Sequence, residues 1–387
     1  MKIAYCLNSI NYVGGIENVT VTKANVLAEL DGYEVFIIVS DHEENEGVAA
    51  GLSDSVHLID LDINYYSDDW KSKWNVLKGI LVRRRLHKKR LTKTLNEINP
   101  DVVISLGQAE KYMLPQIKGR WVFLREMHYC KGFRGFAAAS RSVFYKITAR
   151  LSDFYDYYCK ISKYDHIVVL THEDRRNNWD EDENVSVIPN PITFRYKTVA
   201  SLNSRKIIAV GHLTAQKNFS SLIRAFSIVA MRHPDWGLEI YGDGNEYRML
   251  QNLIGQQHLE NNVSLCGSTR NVQDKMCASS IFVLSSIYEG LPLVMLEAMS
   301  CGLPVVSYDC PCGPKDIITD AVDGFLVPTG DELMLAEKIC RLIENPQVRS
   351  EMGAAALAKS TNYRIDKIIP MWKELFERLV AEKRGKC

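Results

Sequence analysis

The apolar residues of this chain follow two patterns that alternate along its length. Short runs rich in β-branched and aromatic residues, such as Ile281–Leu284, are typical of strands buried in a parallel sheet. Longer stretches with apolar residues three and four positions apart, such as 16–30, predict helices. Strands are predicted at residues 2–8, 33–40, 100–105, 121–128, 166–171, 206–211, 238–244, 263–267, 281–284, 304–306 and 324–328. This alternation predicts an α/β fold with parallel sheets.

The most informative stretch covers residues 285–302 and reads SSIYEGLPLVMLEAMSCG. It follows a predicted strand, and Gly290, Leu291 and Pro292 open a helix that is apolar except at Glu297. Proline near the first helical position and glycine just past the last one are common start and stop signals. The free N–H groups at the start of a helix attract anions, so this stretch predicts a phosphate site.

Glu297 is a carboxylate in an otherwise apolar helix. Burying an unpaired carboxylate is costly, so the side chain reaches solvent, caps a neighbouring loop, or binds a ligand. Glu289 supplies a second carboxylate on the turn that precedes the helix. We favour the interpretation in which Glu297 binds ligand hydroxyl groups while the start of the helix holds the ligand's phosphates.

The length and composition are typical of a soluble globular protein with two domains. The chain has 387 residues, of which 46% are hydrophobic and 24% charged. No apolar run reaches the roughly eighteen residues of a membrane-spanning helix, and the N-terminus reads as a strand and not as a signal peptide. The ten cysteines include no C-x2-C pair. We therefore expect a cytoplasmic protein with reduced thiols and no disulfide framework or zinc site.

The net charge is zero, but the charges are distributed unevenly. Residues 1–70 hold 2 Lys or Arg and 13 Asp or Glu, whereas residues 71–163 hold 21 and 6. The densest basic segment runs from Lys78 to Lys93 and has apolar residues at helical spacing. It is either a surface helix that balances the acidic segment before it or a basic amphipathic surface that contacts anionic lipid or a phosphorylated acceptor. We favour anionic membrane, which would make the protein peripheral on the inner face of the plasma membrane. We expect no nucleic acid, because no nucleic-acid-binding motif accompanies the segment.

Further candidate ligand groups lie next to predicted strands. Gly14 and Gly15 separate the first strand from a helix, where adjacent glycines let the backbone approach a ligand closely. Glu126 and His128 end the strand at 121–128, and ligands gather at the carboxyl ends of parallel strands. Both residues are therefore candidates for the site.

The strand at 206–211 leads into a second phosphate-site pattern. Gly211 is followed by His212, Lys217 and a predicted helix, and a glycine, cations and a helix start are the parts of such a site. A lysine supplies a positive charge there, whereas a histidine does so only when it is protonated.

Two pairs of aspartates at one-residue spacing are candidates for a metal site. Asp60 and Asp62 lie near a strand edge, and Asp180 and Asp182 lie in a polar loop. Two spaced aspartates are a weak motif, and we expect no metal.

The segment EGLPLVMLEAMSCGLPVV, residues 289–306, resembles the E-x7-E signature of retaining glycosyltransferases of family 4. The resemblance extends to GGIE at 14–17, GHLTAQK at 211–217, YGDG at 241–244 and DCPCGPKDII at 309–318. The last segment looks like a loop of family members that build bacterial surface polysaccharides. The resemblance covers nearly the whole chain and is most specific over residues 205–330.

This resemblance implies the GT-B fold, in which two Rossmann-like domains face each other across a cleft. An N-terminal, acceptor-side domain would comprise residues 1–198 and be completed by the C-terminal helix at 365–387. A nucleotide-sugar-binding domain would comprise residues 199–364.

The resemblance also implies roles for the candidate residues. Lys217 and the N–H groups after Glu289 would stabilise the leaving diphosphate, and Glu289 would contact the transferred sugar. The family has a histidine or an acidic residue near this sugar, to which either Glu126 or His128 corresponds. Histidine stands at His212 where the family has an arginine. The donor-binding residues would be Gly14, Gly15, Gly211, His212, Lys217, Gly242, Thr269, Gly290, Leu291, Pro292 and Glu297, with Glu297 on the ribose hydroxyls.

The implied activity is transfer of a hexose or N-acetylhexosamine, with retention of configuration, in cell-surface polysaccharide biosynthesis. The donor would be a nucleotide sugar, UDP-linked by resemblance alone, and the acceptor a lipid-linked saccharide or other glycan. No cofactor is expected besides this co-substrate. Two other functions stay open: a sugar-nucleotide epimerase of the same fold, which needs no acceptor, and a catalytically silent nucleotide-sugar-binding protein.

Overall fold

Two parallel β-sheets, each packed between helices, form the core of the protein. The computed structural model describes residues 1–10, 14–41, 51–65, 73–107, 109–138, 142–179, 184–193 and 198–385, without the side chains of residues 73–80. Within these residues, no helix combines the length and the apolar character needed to cross a bilayer. The predicted α/β class with two sheets is confirmed.

The first sheet consists of strands from the N-terminal half of the chain. They are β1 (Lys2–Leu7), β2 (Glu34–Val39), β3 (Val56–Asp60), β4 (Val102–Ser105), β5 (Val122–Glu126), β6 (His166–Val169) and β7 (Val185–Val187). Their order in the sheet is β3-β2-β1-β4-β5-β6-β7, and all neighbours are parallel. The edge strands β3 and β7 were not predicted from the sequence. β3 is only partly buried and carries polar residues, and β7 has three residues, so neither has a strong apolar run.

The helices of this half are α1 (Gly15–Ala28), α2 (Lys73–Ile98), α3 (Phe133–Ala137), α4 (Val143–Phe154) and α5 (His172–Trp179). A short 3₁₀ turn at Leu114–Gln116, a π-helical turn at Tyr155–Lys160 and a 3₁₀ turn at Ile161–Lys163 complete it. Leu27 of α1 packs in the core on one face of the sheet, and Leu91 and Leu95 of α2 pack on the other. α2 thus covers the sheet with its C-terminal half.

The second sheet is built in the same way. Its strands are β8 (Lys206–Val210), β9 (Gly237–Tyr241), β10 (Val263–Gly267), β11 (Ile281–Leu284), β12 (Val305–Tyr308) and β13 (Gly324–Val327), in the order β10-β9-β8-β11-β12-β13. Its helices are α6 (Phe219–Arg232), α7 (Tyr247–Gln256), α8 (Val272–Cys277), α9 (Leu293–Ser300), α10 (Pro314–Ile317), α11 (Glu332–Glu344) and α12 (Pro346–Ser360).

The last helix, α13 (Ile365–Gly385), returns to the first sheet. Trp372 and Phe376 are buried in the same core as Leu27 of α1. The chain therefore crosses between the sheets twice, once before β8 and once before α13.

Each sheet has one point at which the strand order reverses. In the first sheet this point lies between β1 and β4, and in the second it lies between β8 and β11. The connections on the two sides of such a point lead away from each other and leave a crevice at the carboxyl ends of the strands. The fold therefore places a ligand site at one edge of each sheet.

Candidate functional site

We call the part built around the first sheet the first domain and the part built around the second sheet the second domain. A cavity of about 140 Å³ lies in the first domain at the carboxyl ends of β1, β4 and β5. Asn8, Gly107 and His128 follow these three strands and line the cavity, together with Glu17 of α1 and Arg134 of α3. This is the reversal point of the first sheet. The cavity therefore occupies the position at which parallel α/β sheets bind ligands.

The two candidates at the end of β5 have different surroundings. His128 lines the cavity, whereas Glu126 is fully buried beneath it and accepts a hydrogen bond from Lys23 Nζ. His128 Nδ1 lies 3.4 Å from Asn190 Nδ2, and its Nε2 lies 3.4 Å from Glu126 Oε1 without a hydrogen bond. Burial lowers the pKa of His128 to about 4, against the opposing effect of Glu126, so the ring is neutral at pH 7. Of the two, His128 is the residue that a ligand in the cavity can contact.

Lys23 was not predicted from the sequence. It lies on α1, four residues from both Val19 and Leu27, and all three are buried on one side of the helix. Its ammonium group also lies 4.3 Å from the ring centroid of Trp372 on α13. Burial lowers the pKa of Lys23, and Glu126 opposes this shift. The sequence signal was a lysine at an apolar helical position, but nothing in one sequence connects it to a carboxylate 103 residues away.

The glycine pair before α1 lies beside the cavity. Gly14 is the N-cap residue of α1 in an extended conformation, and a side chain there would collide with the carboxylate of Glu17. Burial raises the pKa of Glu17. Gly15 begins the helix, and a Cβ at this position would meet Leu293 of the second domain at 3.5 Å. The start of α1 therefore belongs to both the cavity and the contact between domains.

In the second domain, the loops after β8 and β11 bind each other at the reversal point. Lys217 Nζ donates to Glu289 Oε1 at 2.7 Å, and both side chains are largely buried. Ile287 N donates to Gln216 O at 2.9 Å, and Ser285 Oγ donates to Lys217 O at 2.8 Å. These bonds hold the Lys217 and Glu289 side chains together although they are 72 residues apart in the chain.

The remaining predicted donor residues lie at the same edge of the second sheet. Gly211 follows β8, and a Cβ there would lie 3.1 Å from Cε of Lys217. Gly242 follows β9 with a φ of +140°, and any side chain there would collide with the carbonyl oxygen of Gly211. His212 is exposed, and Thr269 follows β10 and accepts from Asn271 N at 3.1 Å. The sheet order brings all four to one edge.

The turn before α9 offers unpaired hydrogen-bond donors. α9 begins at Leu293 with Pro292 at the cap position. The N–H groups of Gly290 and Leu291 make no hydrogen bond within the described part of the chain. Free N–H groups next to Lys217 make this turn a suitable site for an anion.

Glu297 lies one turn further along α9. Its carboxylate has no hydrogen-bond partner among the residues that the structure describes, and burial raises the pKa of Glu297 to about 7. The residue is only partly buried, so a ligand can reach this carboxylate and supply the hydroxyl donors that it lacks.

The two edges face each other and make contact. A side chain at Gly290 would collide with the carbonyl oxygen of His128, so the turn of the second domain lies directly against the end of β5. The rings of Phe136 and Tyr288 stack with centroids 6.1 Å apart. Cys312 N donates to Oε2 of Glu173 at 2.9 Å, which is a further contact between the domains.

Potential metal ligands cluster elsewhere. Within the described ranges, the one group with metal-binding geometry is His233, Cys340 and Glu344, at the end of α6 and on α11, and none of the three lines the cavity. Asp62 is paired with Arg90, with Asp62 Oδ2 3.2 Å from Nη1. The aspartates at 180 and 182 lie outside the residues that the structure describes.

The basic segment from Lys78 to Lys93 lies within α2. The side chains of residues 78–80 are not among those described. Arg84 and Arg85 are exposed, whereas Arg90 donates to the carbonyl oxygen of Leu61. Part of the segment therefore presents cations to solvent, and part packs against the domain.

Comparison with known proteins identifies the family. The model of the family described as glycosyl transferases group 1 matches residues 192–359. An uncharacterized glycosyltransferase of Haemophilus influenzae is 30% identical over 378 residues, which cover 96% of this chain and 99% of that protein. This chain is a group 1 glycosyltransferase. The enzyme is also 31% identical over 218 residues to the amylovoran biosynthesis glycosyltransferase AmsD of Erwinia amylovora, covering 54% of this chain and 61% of AmsD.

The fold of this glycosyltransferase is similar to that of a protein of known structure. A variant of S. aureus TarM, crystallised in complex with fondaparinux, α-GlcNAc-glycerol and UDP, superposes with a TM-score of 0.77. The superposition covers 97% of this chain and 99% of TarM at 16% identity, so it shows the fold alone. The predicted GT-B fold and glycosyltransferase class are confirmed.

Proposed function

We propose that this glycosyltransferase moves a hexose or N-acetylhexosamine from a UDP-sugar to a lipid-linked saccharide or other glycan acceptor in the assembly of a cell-surface polysaccharide. The observation that carries the proposal is the Lys217–Glu289 pair at the turn with free N–H groups, directly opposite the cavity that His128 lines. The UDP in the TarM complex supports the nucleotide, and the naming of AmsD for amylovoran biosynthesis supports the type of product.

The donor diphosphate would bind between Lys217 and the turn before α9. An ammonium group has three donors, and Glu289 takes one of those of Lys217, which leaves donors for phosphate oxygens. The N–H groups of Gly290 and Leu291 add two more. Because negative charge develops on the phosphate oxygens as the sugar leaves, donors fixed at this position stabilise the transition state.

Glu297 would hold the ribose. Its ionised carboxylate would accept hydrogen bonds from both hydroxyl groups. Such bonds favour the charged form, so donor binding would lower the pKa of Glu297 from its raised value of about 7.

The sugar would lie between Glu289 and His128. The neutral imidazole of His128 can form hydrogen bonds with the sugar without placing a full positive charge beside a positive transition state. We propose retention by front-face attack: the acceptor oxygen bonds to the anomeric carbon as the bond to the phosphate breaks, and the acceptor's proton passes to the leaving phosphate. No protein nucleophile takes part in this scheme.

We propose that the reaction needs no metal ion. Lys217 and the backbone N–H groups would supply the positive potential that a divalent cation can otherwise provide to a leaving phosphate. Activity is therefore expected to persist in excess EDTA. Loss of activity that manganese restores would contradict this part of the proposal.

We also propose peripheral contact with anionic membrane through the basic segment from Lys78 to Lys93. Arg84, Arg85 and Lys89 are exposed along α2 and are available to lipid phosphates. This contact would keep the enzyme near a lipid-linked acceptor.

Incubation with radiolabelled UDP-sugars, with and without extracted membrane lipid, tests the function. Label is expected to move to a lipid-soluble product in the wild type and in Lys373→Ala, a control at an exposed lysine of α13, but not in Lys217→Ala. Conversion of the donor sugar without acceptor would show an epimerase instead. Binding of UDP-sugar without turnover under any condition would show a silent binding protein.

A further inference from the structure

Helix α4 turns its apolar side to solvent. No residue of this fully described helix is buried. At about 100° per residue, five large apolar side chains fall within an arc of about 100° on the helix surface. They are Val143, Phe144, Ile147, Leu151 and Phe154, with exposed fractions of 72%, 71%, 52%, 64% and 59%.

The exposed surface continues past the end of the helix. Tyr155 and Tyr158 of the π-helical turn are exposed, as is Tyr145 on α4 itself. Tyrosine combines an apolar ring with a polar hydroxyl group and is enriched where protein meets the interfacial region of a bilayer. Contiguous apolar surface of this extent marks an interaction site.

The opposite side of the same segment is fixed to the domain by ion pairs. Arg134 contacts Asp153 with Nη1 2.7 Å from Oδ1, and its other terminal nitrogen contacts Asp156. Lys111 Nζ also donates to Asp156 Oδ2 at 3.0 Å, and Tyr112 donates to its other oxygen. Both carboxylates of the segment are therefore paired with cations of the domain, and these pairs hold the apolar side of the segment toward solvent.

The charges that border the apolar arc are positive. Lys146 and Arg150 are exposed along one flank of α4, and Lys163 is exposed beyond the π-helical turn. An apolar helical face with a cationic border is the pattern of helices that lie in the interface of anionic membranes. If two copies of the protein packed against each other through this face, the positively charged flanks of their α4 helices would instead be brought together.

We infer that α4 and the π-helical turn insert into the headgroup region of an anionic lipid bilayer. The surface adjoins the exposed cations of α2: Lys88 Nζ donates to Gln116 Oε1, Gln116 Nε2 donates to Tyr112 O, and the rings of Tyr112 and Tyr155 lie 6.3 Å apart. The apolar α4 surface thus extends the membrane contact proposed for α2 and supplies the part that enters the lipid.

Insertion would bring the first-domain cavity to the membrane surface. Arg134, Asp156 and Tyr157, from the elements on either side of α4, line the cavity. A saccharide attached to a membrane lipid would then reach it without leaving the bilayer surface. This consequence rests on the proposed function, whereas insertion itself does not.

Flotation of the full-length protein with vesicles tests the inference. Vesicles of phosphatidylglycerol and phosphatidylethanolamine are expected to bind the wild type, and vesicles of phosphatidylcholine alone much less. The double variant Phe144→Ser/Leu151→Ser is expected to bind at least about tenfold less, because two inserting apolar side chains are lost. The matched control is Met231→Ser/Leu333→Ser, at 77% and 68% exposed positions of the second domain, which should bind as the wild type does.

Three results would overturn the inference. The first is that the α4 variant binds vesicles as the wild type does, and the second is that binding is lost only in Arg84→Glu/Arg85→Glu. The third is that the protein binds no vesicles and sediments as a dimer that the α4 substitutions dissociate. The flotation assay needs no turnover, and the circular dichroism spectrum and urea unfolding of each variant show whether it is folded. An enzyme that floats but transfers no sugar would refute the proposed function and leave the inference standing.

Discussion

Replacement of Glu297 by glutamine is expected to stabilise the ligand-free protein at alkaline pH and to weaken donor binding. The carboxylate has no partner among the described residues, and burial raises the pKa of Glu297 to about 7. Between pH 4.5 and 7 the folded protein therefore keeps a proton that the unfolded chain has released. The contribution of Glu297 to the free energy of unfolding is fully present below pH 4.5 and is lost as the pH rises through 7.

The magnitude follows from the two pKa values. A rise from 4.5 to about 7, at about 1.4 kcal/mol per pH unit, corresponds to roughly 3 kcal/mol at pH 8. At pH 5 most of this penalty is absent, because the folded carboxyl group is still protonated. Glutamine cannot ionise. The free energy of unfolding of Glu297→Gln, relative to wild type, should therefore increase by about 2 to 3 kcal/mol between pH 5 and pH 8.

Urea unfolding at both pH values measures this difference. Glu337→Gln, at an exposed position of α11, is the matched control and should follow the wild type. Calorimetric titration with UDP measures the opposite effect. The variant should bind UDP about tenfold or more weakly at pH 8, since hydrogen bonds to a charged group contribute about 1.5–3 kcal/mol.

Two outcomes would refute this reasoning. Parallel pH profiles of wild type and Glu297→Gln would show that Glu297 titrates as an exposed carboxylate does. Unchanged UDP affinity at pH 8 would show that the carboxylate does not bind the ribose.

Three further substitutions test the site. Lys217→Ala should reduce transfer at least about 100-fold, on the scale of losing one donor to a developing charge, and near-normal turnover would exclude Lys217 from the reaction centre. Lys23→Ala should lower the free energy of unfolding by about 3–5 kcal/mol because it leaves Glu126 buried and unpaired. The double variant Lys23→Met/Glu126→Leu should lose much less. Equal losses for the two variants in urea unfolding would show that Lys23 and Glu126 are not energetically coupled. Gly290→Ala places a methyl group against the carbonyl oxygen of His128 and should lower both kcat and UDP affinity, because the turn that would hold the diphosphate must move. Unchanged values of both would mean that this domain contact is not needed for donor binding or turnover.

Local patterns were sufficient to predict most of the elements, including the strand, turn and helix that carry the candidate donor residues of the second domain. The strand, turn and helix around Pro292 are specified by residues within about twenty positions of one another, so propensity and end signals predict them directly. The edge strands β3 and β7 escaped prediction because short or partly exposed strands lack a continuous apolar run.

The pairing of charged residues required the tertiary structure. Lys217 and Glu289 were each singled out from the sequence, but their contact depends on β8 and β11 being neighbours in the sheet. Which of His128 and Glu126 can contact a ligand depends on Lys23, whose ammonium group extends from α1 and donates a hydrogen bond to the carboxylate of Glu126. A single sequence contains no signal that joins residues so far apart in the chain.

Local sequence is enough to show where this glycosyltransferase forms strands and helices and which turns can hold an anion, because these properties depend on nearest neighbours along the chain. Which side of a helix faces the core depends on contacts between distant parts of the chain. The apolar arc of α4, read from its pattern alone, predicts a face turned toward the sheet. The ion pairs of Arg134 with Asp153 on the helix and Asp156 on the turn after it hold it the other way, since buried charges must be paired and both carboxylates pair toward the domain.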